Sequence, residues 1–227
     1  MDIENHENFV KKLKLPSHFS FIGIFRYFML IILTFITLFP LLWLFMTSLK
    51  SEVDIFAKPP VLHFQPTLQA YNYIMKMGFF ESYFLNSLIV AVLTVVASLI
   101  IGGLGAYSLA RFQFHGSSFL AFIVLALRML PGVVIVIPLY LIMQRFGLIN
   151  TKISLVIAHT ALNLPFVVWM LRSYFMSIPR ELEEAAMLDG ASRLLSIRKI
   201  IVPLSAPGIV ATAMFTFLLS WNEFLFA

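Results

Sequence analysis

Residues 178–205, IPRELEEAAMLDGASRLLSIRKIIVPLS, form a polar stretch between two long apolar runs. The first part of the stretch favours a helix, since Pro179 suits a first helical turn. Three acidic residues follow where the helix dipole is positive: Glu181, Glu183 and Glu184. One face of this helix, at i, i+3 and i+4 spacing, carries Leu182, Ala185 and Ala186. Gly190 predicts the end of the helix, because glycine adopts a left-handed backbone without strain.

A second short helix is predicted to follow. Ser192 can cap its start, Pro203 is expected to end it, and Arg198 and Lys199 lie near the negative end of its dipole. Its apolar side comprises Leu194, Leu195 and Ile201. The stretch holds as many acids as bases, so binding of anionic lipid is not its expected main purpose. On charge pattern alone, an amphipathic helix pair at the membrane surface stays an alternative.

The composition of the whole chain indicates that part of its surface lies in lipid. Of its 227 residues, 60% are hydrophobic and 12% charged, about half the roughly 25% charge of an ordinary soluble domain. This apolar surface exceeds what one soluble core of that size can bury. The chain has no cysteine, which excludes disulfides, thiolate nucleophiles and iron–sulfur ligation. The class is therefore a membrane protein.

The apolar runs predict an all-α, polytopic transmembrane helical bundle with five spans. The runs are Tyr27–Ser48, Ser87–Leu109, Phe119 to about Met143, Ile153–Phe175, and about Pro207 to Ala227. The polar stretch before the first run favours an uncleaved anchor over a secretory signal. The predicted organisation has an N-terminal segment at 1–26 and a transmembrane domain at 27–227. That domain includes an outer loop at 49–86, rich in proline and aromatic residues, which is either a docking surface for an external partner or an interfacial segment.

Basic residues fix the predicted orientation, because lysine and arginine accumulate on the cytoplasmic side. Ten lie on one side of the spans and five on the other. The first set is Lys11, Lys12, Lys14, Arg26, Arg111, Arg172, Arg180, Arg193, Arg198 and Lys199, and the second is Lys50, Lys58, Lys76, Arg145 and Lys152. The N-terminus and residues 178–205 are therefore expected in the cytoplasm.

Catalytic patterns are weak in this sequence. No phosphate-binding G-x-x-x-x-G-K-[ST] loop is present, so ATP hydrolysis is not expected on this chain. The His6-Glu7 pair lacks the second histidine of a zinc protease, and no aspartate lies inside a predicted span. His159 is the one histidine in a span, and a hydrogen-bonding role is favoured over catalysis. An intramembrane enzyme is the minor alternative, with no catalytic residue and no metal ligand assigned.

Polar residues inside the spans are costly in lipid and are therefore candidates for a substrate path. They are Arg128, Asn163, Asn222 and Glu223, with Trp221 beside the last two. Sugar recognition uses amides and carboxylates next to aromatic faces, which residues 221–223 provide. Backbone breaks at Pro131-Gly132 and Pro165 are possible cavity linings, although ordinary kinks are the commoner meaning of such prolines.

The cytoplasmic stretch resembles the EAA loop of permease subunits of ATP-binding-cassette importers. The resemblance rests on Glu184-Ala185-Ala186, on Gly190 after three further residues, and on Ile200, Val202 and Pro203. The variant Asp189-Gly190-Ala191 is similar to the sugar-transporting branch. Further segments resemble the second permease of maltose-type systems: Leu49-Lys50 with Pro59-Pro60, Tyr83–Ser87, Pro138–Tyr140, Gly147–Thr151 and Ser220–Phe224.

This resemblance implies a sugar importer in a prokaryotic inner membrane. Two permeases form the path, two cytoplasmic ATPases carry ATP and magnesium, and an external solute-binding protein delivers the sugar; no cofactor on this chain and no nucleic-acid partner are expected. The resemblance assigns Glu184, Ala185, Ala186, Asp189 and Gly190 to a coupling helix that contacts the ATPase. It also implies six spans, so the C-terminal one is expected to be missing after Ala227. A permease for another solute, such as a glycerol phosphate, stays an alternative.

The orientation can be tested in this cysteine-free background. A membrane-impermeant maleimide added to intact cells should label a Lys58→Cys variant and leave a Ser192→Cys variant unlabelled until the cells are permeabilised, because the two positions are predicted on opposite sides. Labelling of Ser192→Cys from outside intact cells contradicts the predicted topology.

Overall fold

The computed structural model describes residues 21–112 and 114–225, and within these residues the regular structure is entirely helical. The helices are α1 (Phe21–Ser48), α2 (Glu52–Phe56), α3 (Gln69–Lys76), α4 (Phe80–Arg111), α5 (Ser117–Leu127), α6 (Gly132–Arg145), α7 (Lys152–Ser177), α8 (Glu181–Leu188), α9 (Arg193–Leu204, with a π-helical turn at Ile197–Ile201) and α10 (Ala206–Trp221). Contacts divide the chain into two compact units, residues 1–79 and 80–227.

Five candidate membrane spans agree with the predicted all-α polytopic fold. Three single helices are long and apolar enough to cross a membrane: Gly23–Ser48, Phe80–Arg111 and Lys152–Ser177. Two further spans arise if each of the bent pairs α5–α6 and α9–α10 counts as one. The first helix already includes residues 21–26, which the sequence assigned to the N-terminal segment; residues 1–20 of that segment lie outside the described residues.

In the first unit, α1 leads into a loop that is fixed by Lys50. The ammonium group of Lys50 donates a hydrogen bond to the carbonyl of Val61 (2.6 Å) and lies about 5 Å from the ring centroids of Trp43 and Phe64. A cation held by a carbonyl and two aromatic faces closes this loop without a carboxylate partner. Residues 80–86 of the predicted outer loop form the first two turns of α4.

The second unit is built on α4, which packs mainly against α7 and also against α10. Small or hydroxyl-bearing residues recur every four positions along the buried faces of two of these helices: Thr94, Ser98, Gly102, Ala106 and Ala110 on α4, and Gly208, Thr212, Thr216 and Ser220 on α10. Residues four apart share one face of a helix. Such stripes let helix backbones approach closely. This close packing favours helix association in a membrane, because the hydrophobic effect does not drive helices together in lipid.

Two glycines mark the closest helix contacts. A Cβ atom on Gly102 would lie 2.7 Å from a methyl carbon of Val167, a residue that is fully buried on α7. A Cβ atom on Gly208 would overlap the ring of Tyr174 on the same helix. Both positions therefore require glycine for packing rather than for an unusual backbone angle.

Two predicted spans are not single straight helices. The run from Phe119 to Met143 is split into α5 and α6, which are bent by 97° at a break that contains Pro131. Proline disfavours helical backbone in the residue before it, here Leu130, and lacks the N–H needed to continue the helix. The sequence indicated a backbone break at Pro131-Gly132, and the structure places it there. Pro165, by contrast, lies within a continuous α7.

The last predicted span also differs from expectation. Helix α10 ends at Trp221, so Asn222 and Glu223 follow the helix instead of lying inside it. The Asn222 side chain donates to the carbonyl of Leu218 (2.8 Å), and its own backbone N–H donates to the same oxygen, which completes the helix end. Residues 226 and 227 lie outside the described residues.

The two neighbouring glycines of α4 allow a matched test of this packing. Gly102→Ala should lower stability relative to Gly103→Ala by about 1–3 kcal/mol, the usual cost of overpacking, because a Cβ at Gly103 meets its nearest neighbour at an ordinary 3.7 Å. Both changes gain the same helix propensity, so their difference isolates the clash with Val167. Equal thermal unfolding midpoints for the two purified variants would show that this contact is not close-packed.

Candidate functional site

The polar stretch at 178–205 folds largely as its local pattern predicts. Helix α8 ends at Leu188, and Gly190 follows with a φ of 87°, in the left-handed region that favours glycine. Ser192 caps α9, its hydroxyl accepting a bond from the backbone N–H of Leu195. The predicted end at Pro203 is wrong by a small margin: α9 continues to Leu204 and turns into α10 at Ser205, with a bend of 79°.

Most of the predicted coupling residues lie on the surface of α8 and the turn after it. Glu184, Ala185, Asp189 and Gly190 are exposed, and Ala186 is half-buried. Leu188, between them, is 89% exposed. Leu182 and Leu194 nearby are also exposed. One exposed leucine alone needs no explanation, but these three exposed leucines in one short polar loop make it a candidate contact surface.

A buried ion pair joins the side of α8 that faces away from solvent to the end of α4. Sequence analysis did not predict this ion pair. The carboxylate of Glu183, 5% exposed, forms an ion pair with the guanidinium of Arg111 at the end of α4. The hydroxyl of Tyr107, one helical turn earlier on α4, donates a 2.7 Å hydrogen bond to the same carboxylate. Arg111 also donates to the carbonyl of Ile178, at the start of the polar stretch (3.1 Å). The adjacent glutamates 183 and 184 therefore have opposite environments.

Two further arginines donate hydrogen bonds to backbone carbonyls near the end of α4. Arg172 donates to the carbonyl of Leu109 (3.4 Å), and Arg180 donates to the carbonyl of Ala110 (3.3 Å). The last carbonyls of a helix have no partner within the helix, and cationic side chains suit the negative end of its dipole. Arg180 thus binds the polar stretch to the end of α4, and Arg172 binds α7 to it.

Two neighbouring cavities collect most of the predicted path residues. The larger, about 730 Å³, is lined by residues of α4, α6, α7 and the end of α10, including Asn86, Tyr140, Trp221 and Glu223. The smaller, about 330 Å³, is lined by Arg128, Asn163 and Glu223. Glu223 and His159 border both cavities.

The path candidates differ in how they are held. Trp221 stacks on Phe217, with ring centroids 5.6 Å apart, and meets Phe84 edge-on at the same distance. Arg128 caps the end of α5 and lies over the ring of Phe166 at 5.6 Å. Asn222, however, lines neither of these two cavities, since its amide is bonded to the helix end.

His159 has the hydrogen-bonding role that the sequence favoured. Its Nδ1 lies 2.8 Å from the hydroxyl of Ser220 on α10, and its backbone carbonyl accepts a 2.9 Å bond from the side-chain amide of Asn163. Both His159 and Asn163 are buried. The partner Ser220 comes from another helix, which spacing within one span could not indicate.

These features define a class: a multi-pass helical membrane protein with cavities between its helices that include charged and polar side chains, and with an exposed short helix in a polar loop. Residues 99–227 match the family model described as "Binding-protein-dependent transport system inner membrane component". The chain therefore belongs to this family of transport permeases, as the EAA resemblance predicted.

Individual relatives agree over most of the chain. It is 36% identical to the trehalose/maltose transport system permease protein MalG of Thermococcus litoralis, over 87% of this chain and 71% of that protein. It is 40% identical to the inner membrane ABC transporter permease protein YcjP of Escherichia coli, over 85% of this chain and 70% of that protein. Its structure is similar to a bacterial ABC transporter for import of the acidic polysaccharide alginate, with a TM-score of 0.78, 26% identity, and coverage of 93% of this chain and 76% of that one.

Proposed function

We propose that this chain is a permease subunit of a sugar importer and forms half of its translocation path. The observation that carries the proposal is the similarity, over most of the chain, to the trehalose/maltose permease. Relatives named for diacetylchitobiose and trehalose uptake support the same substrate class. A glycerol phosphate or another non-sugar solute has no comparable support among these relatives.

The partners of such a permease follow from its family. A second permease completes the path, a solute-binding protein delivers the sugar from outside, and separate cytoplasmic subunits bind ATP and magnesium and hydrolyse ATP. The family itself is named for dependence on a binding protein, which supports the external partner. The N-terminus and residues 178–205 face the cytoplasm in this proposal, as the distribution of basic residues predicts.

In this proposal α8 is the coupling helix, which enters a groove on the ATPase. Its exposed face combines the small Ala185 with the apolar Leu188 and the acidic Glu184, and the half-buried Ala186 borders this face. Short helices that insert an apolar face into a groove are a common mode of recognition. Glu184 and Asp189 can pair with cations at the groove rim, and Gly190 allows the chain to turn sharply beyond it.

A substitution at Leu188 tests the coupling surface. Leu188→Asp should leave membrane insertion normal, because the side chain is 89% exposed, but should lower the amount of ATPase that co-purifies at least tenfold, because a carboxylate would be desolvated in an apolar groove. Leu188→Met, which keeps an apolar side chain of similar volume, should retain the ATPase.

The wild-type purification tests the function itself. An ATP-binding subunit, a second permease and sugar-dependent ATP hydrolysis are expected in the complex. A wild-type chain that purifies without an ATPase contradicts the importer. An Asp variant that retains the ATPase contradicts only the role of α8.

The substrate path in this proposal passes the two cavities bordered by Glu223. The cavities offer an aromatic face at Trp221, an amide at Asn163 and a carboxylate at Glu223. Amides and carboxylates bind sugar hydroxyls in pairs, and an aromatic ring covers the apolar face of a pyranose. Arg128 also lines the smaller cavity, where its positive charge balances the negative charge of Glu223.

Adjacent residues provide a matched comparison for the path. Glu223→Gln should lower sugar uptake at least fivefold in an importer that assembles normally, because it removes a charged acceptor from both cavities. Asn222→Ser, which alters a residue outside the two cavities, should leave uptake near the wild-type rate. Normal uptake together with reduced thermal stability in Glu223→Gln would assign the carboxylate to the scaffold.

A further inference from the structure

The ion pair between Glu183 and Arg111 is unusual in its position. It joins the buried side of α8 to the last residue of α4, and both side chains are more than 90% buried. The polar groups around the pair are the hydroxyl of Tyr107 and the carbonyl of Ile178, and the guanidinium of Arg193 lies 4.7 Å from the ring centroid of Phe112. The ring of Tyr107 packs edge-on against Phe112 and Phe175, which adds apolar surface on this side. Taking two charges out of water into such surroundings is costly.

Stability alone does not explain the pair. Replacing a buried ion pair by apolar residues of similar volume is often neutral or stabilising, so a pair of this kind is weak evidence for a stabilising role. A buried pair does fix the relative position of the groups that form it. The Glu183 carboxylate is bound from two directions, by Arg111 and by the Tyr107 hydroxyl 2.7 Å away. The α8 helix is therefore fixed in one orientation relative to α4.

The opposite end of α4 lines the larger cavity. Asn86, Ser87 and Val90 border that cavity, together with Trp221 and Glu223. From Ser87 to Arg111 the helix is continuous, a distance of about 36 Å at a rise of about 1.5 Å per residue. One rigid element thus carries the α8 anchor at one end and cavity-lining residues at the other.

We propose that Glu183 is a positioning residue that passes movement of the coupling helix α8 to α4 and so to the cavity. This inference rests on the proposed function, in which α8 contacts an ATPase. When the ATPase moves α8, the Glu183 carboxylate moves Arg111 and Tyr107 with it, and α4 follows because both residues belong to that helix. A second contact, from Arg180 to the α4 carbonyl of Ala110, keeps the loop attached during this movement.

The test measures coupling in the complete importer, reconstituted with its ATPase and solute-binding protein. The readout is the stimulation ratio, the ATPase rate with sugar-loaded binding protein divided by the rate without it. Glu183→Gln keeps the shape and an acceptor for Tyr107 but removes the charge, and should lower the ratio at least fivefold. Glu181→Gln removes an exposed carboxylate from the same helix and should leave the ratio unchanged.

A purely structural role predicts a different result. It lowers the yield of complex, but each assembled complex keeps the wild-type ratio. Tyr107→Phe serves as a second variant, because it removes one hydroxyl and retains the packed ring; its ratio should fall at least twofold. A wild-type ratio in assembled Glu183→Gln, or in Tyr107→Phe if the first variant does not assemble, overturns the inference. Failure of the wild-type chain to couple to any ATPase overturns the proposed function instead.

Discussion

The close approach of α4 to α7 at Gly102 and Val167 is the contact on which the second unit depends. In lipid, helices gain little from burying apolar surface against one another, so close packing of small residues must supply the attraction. The stripe from Thr94 to Ala110 meets this need along one face of α4, and the stripe from Gly208 to Ser220 does so on α10. The functional features occur at the ends of these packed helices, where the stripes stop.

At one end, the packed helices hold a polar loop in place through charge. Arg111 and Arg180 bond across the junction between α4 and residues 178–183, and Arg172 of α7 bonds the carbonyl of Leu109 near the end of α4. The short helix α8 therefore has two different faces. Its inner face carries Glu183, which is paired and buried, and its outer face carries Leu188, which is apolar and exposed. The same eight-residue helix is therefore anchored to α4 on one side and exposes an apolar side chain on the other, which is the side that the proposed ATPase contact uses.

Local features of the sequence were sufficient to predict much of this loop. The turn at Gly190 and the cap at Ser192 depend on backbone geometry and on neighbours three residues away, which the sequence displays directly. The role of Glu183 was not predictable in the same way. Glu183 and Glu184 are chemically identical neighbours, and only the arrival of Arg111 and Tyr107, from a helix more than seventy positions earlier, decides which one is buried. The break after α5 was indicated by Pro131, but its angle of 97° was not, because a proline marks where a helix stops and not the direction of the next helix.

At the other end, the two charged residues among the predicted path residues lie where helices are interrupted. Arg128 caps α5 at its break, and Glu223 follows the end of α10. A helix end leaves backbone carbonyls without partners, and at membrane depth such groups are tolerated only where protein or a water-filled cavity surrounds them. An arginine at a helix C-terminus is also favoured by the dipole. The same cavities thus surround both the unpaired backbone groups of the helix ends and the charged side chains, which are each costly to place in lipid. Side chains from three separate parts of the sequence border one space for this reason.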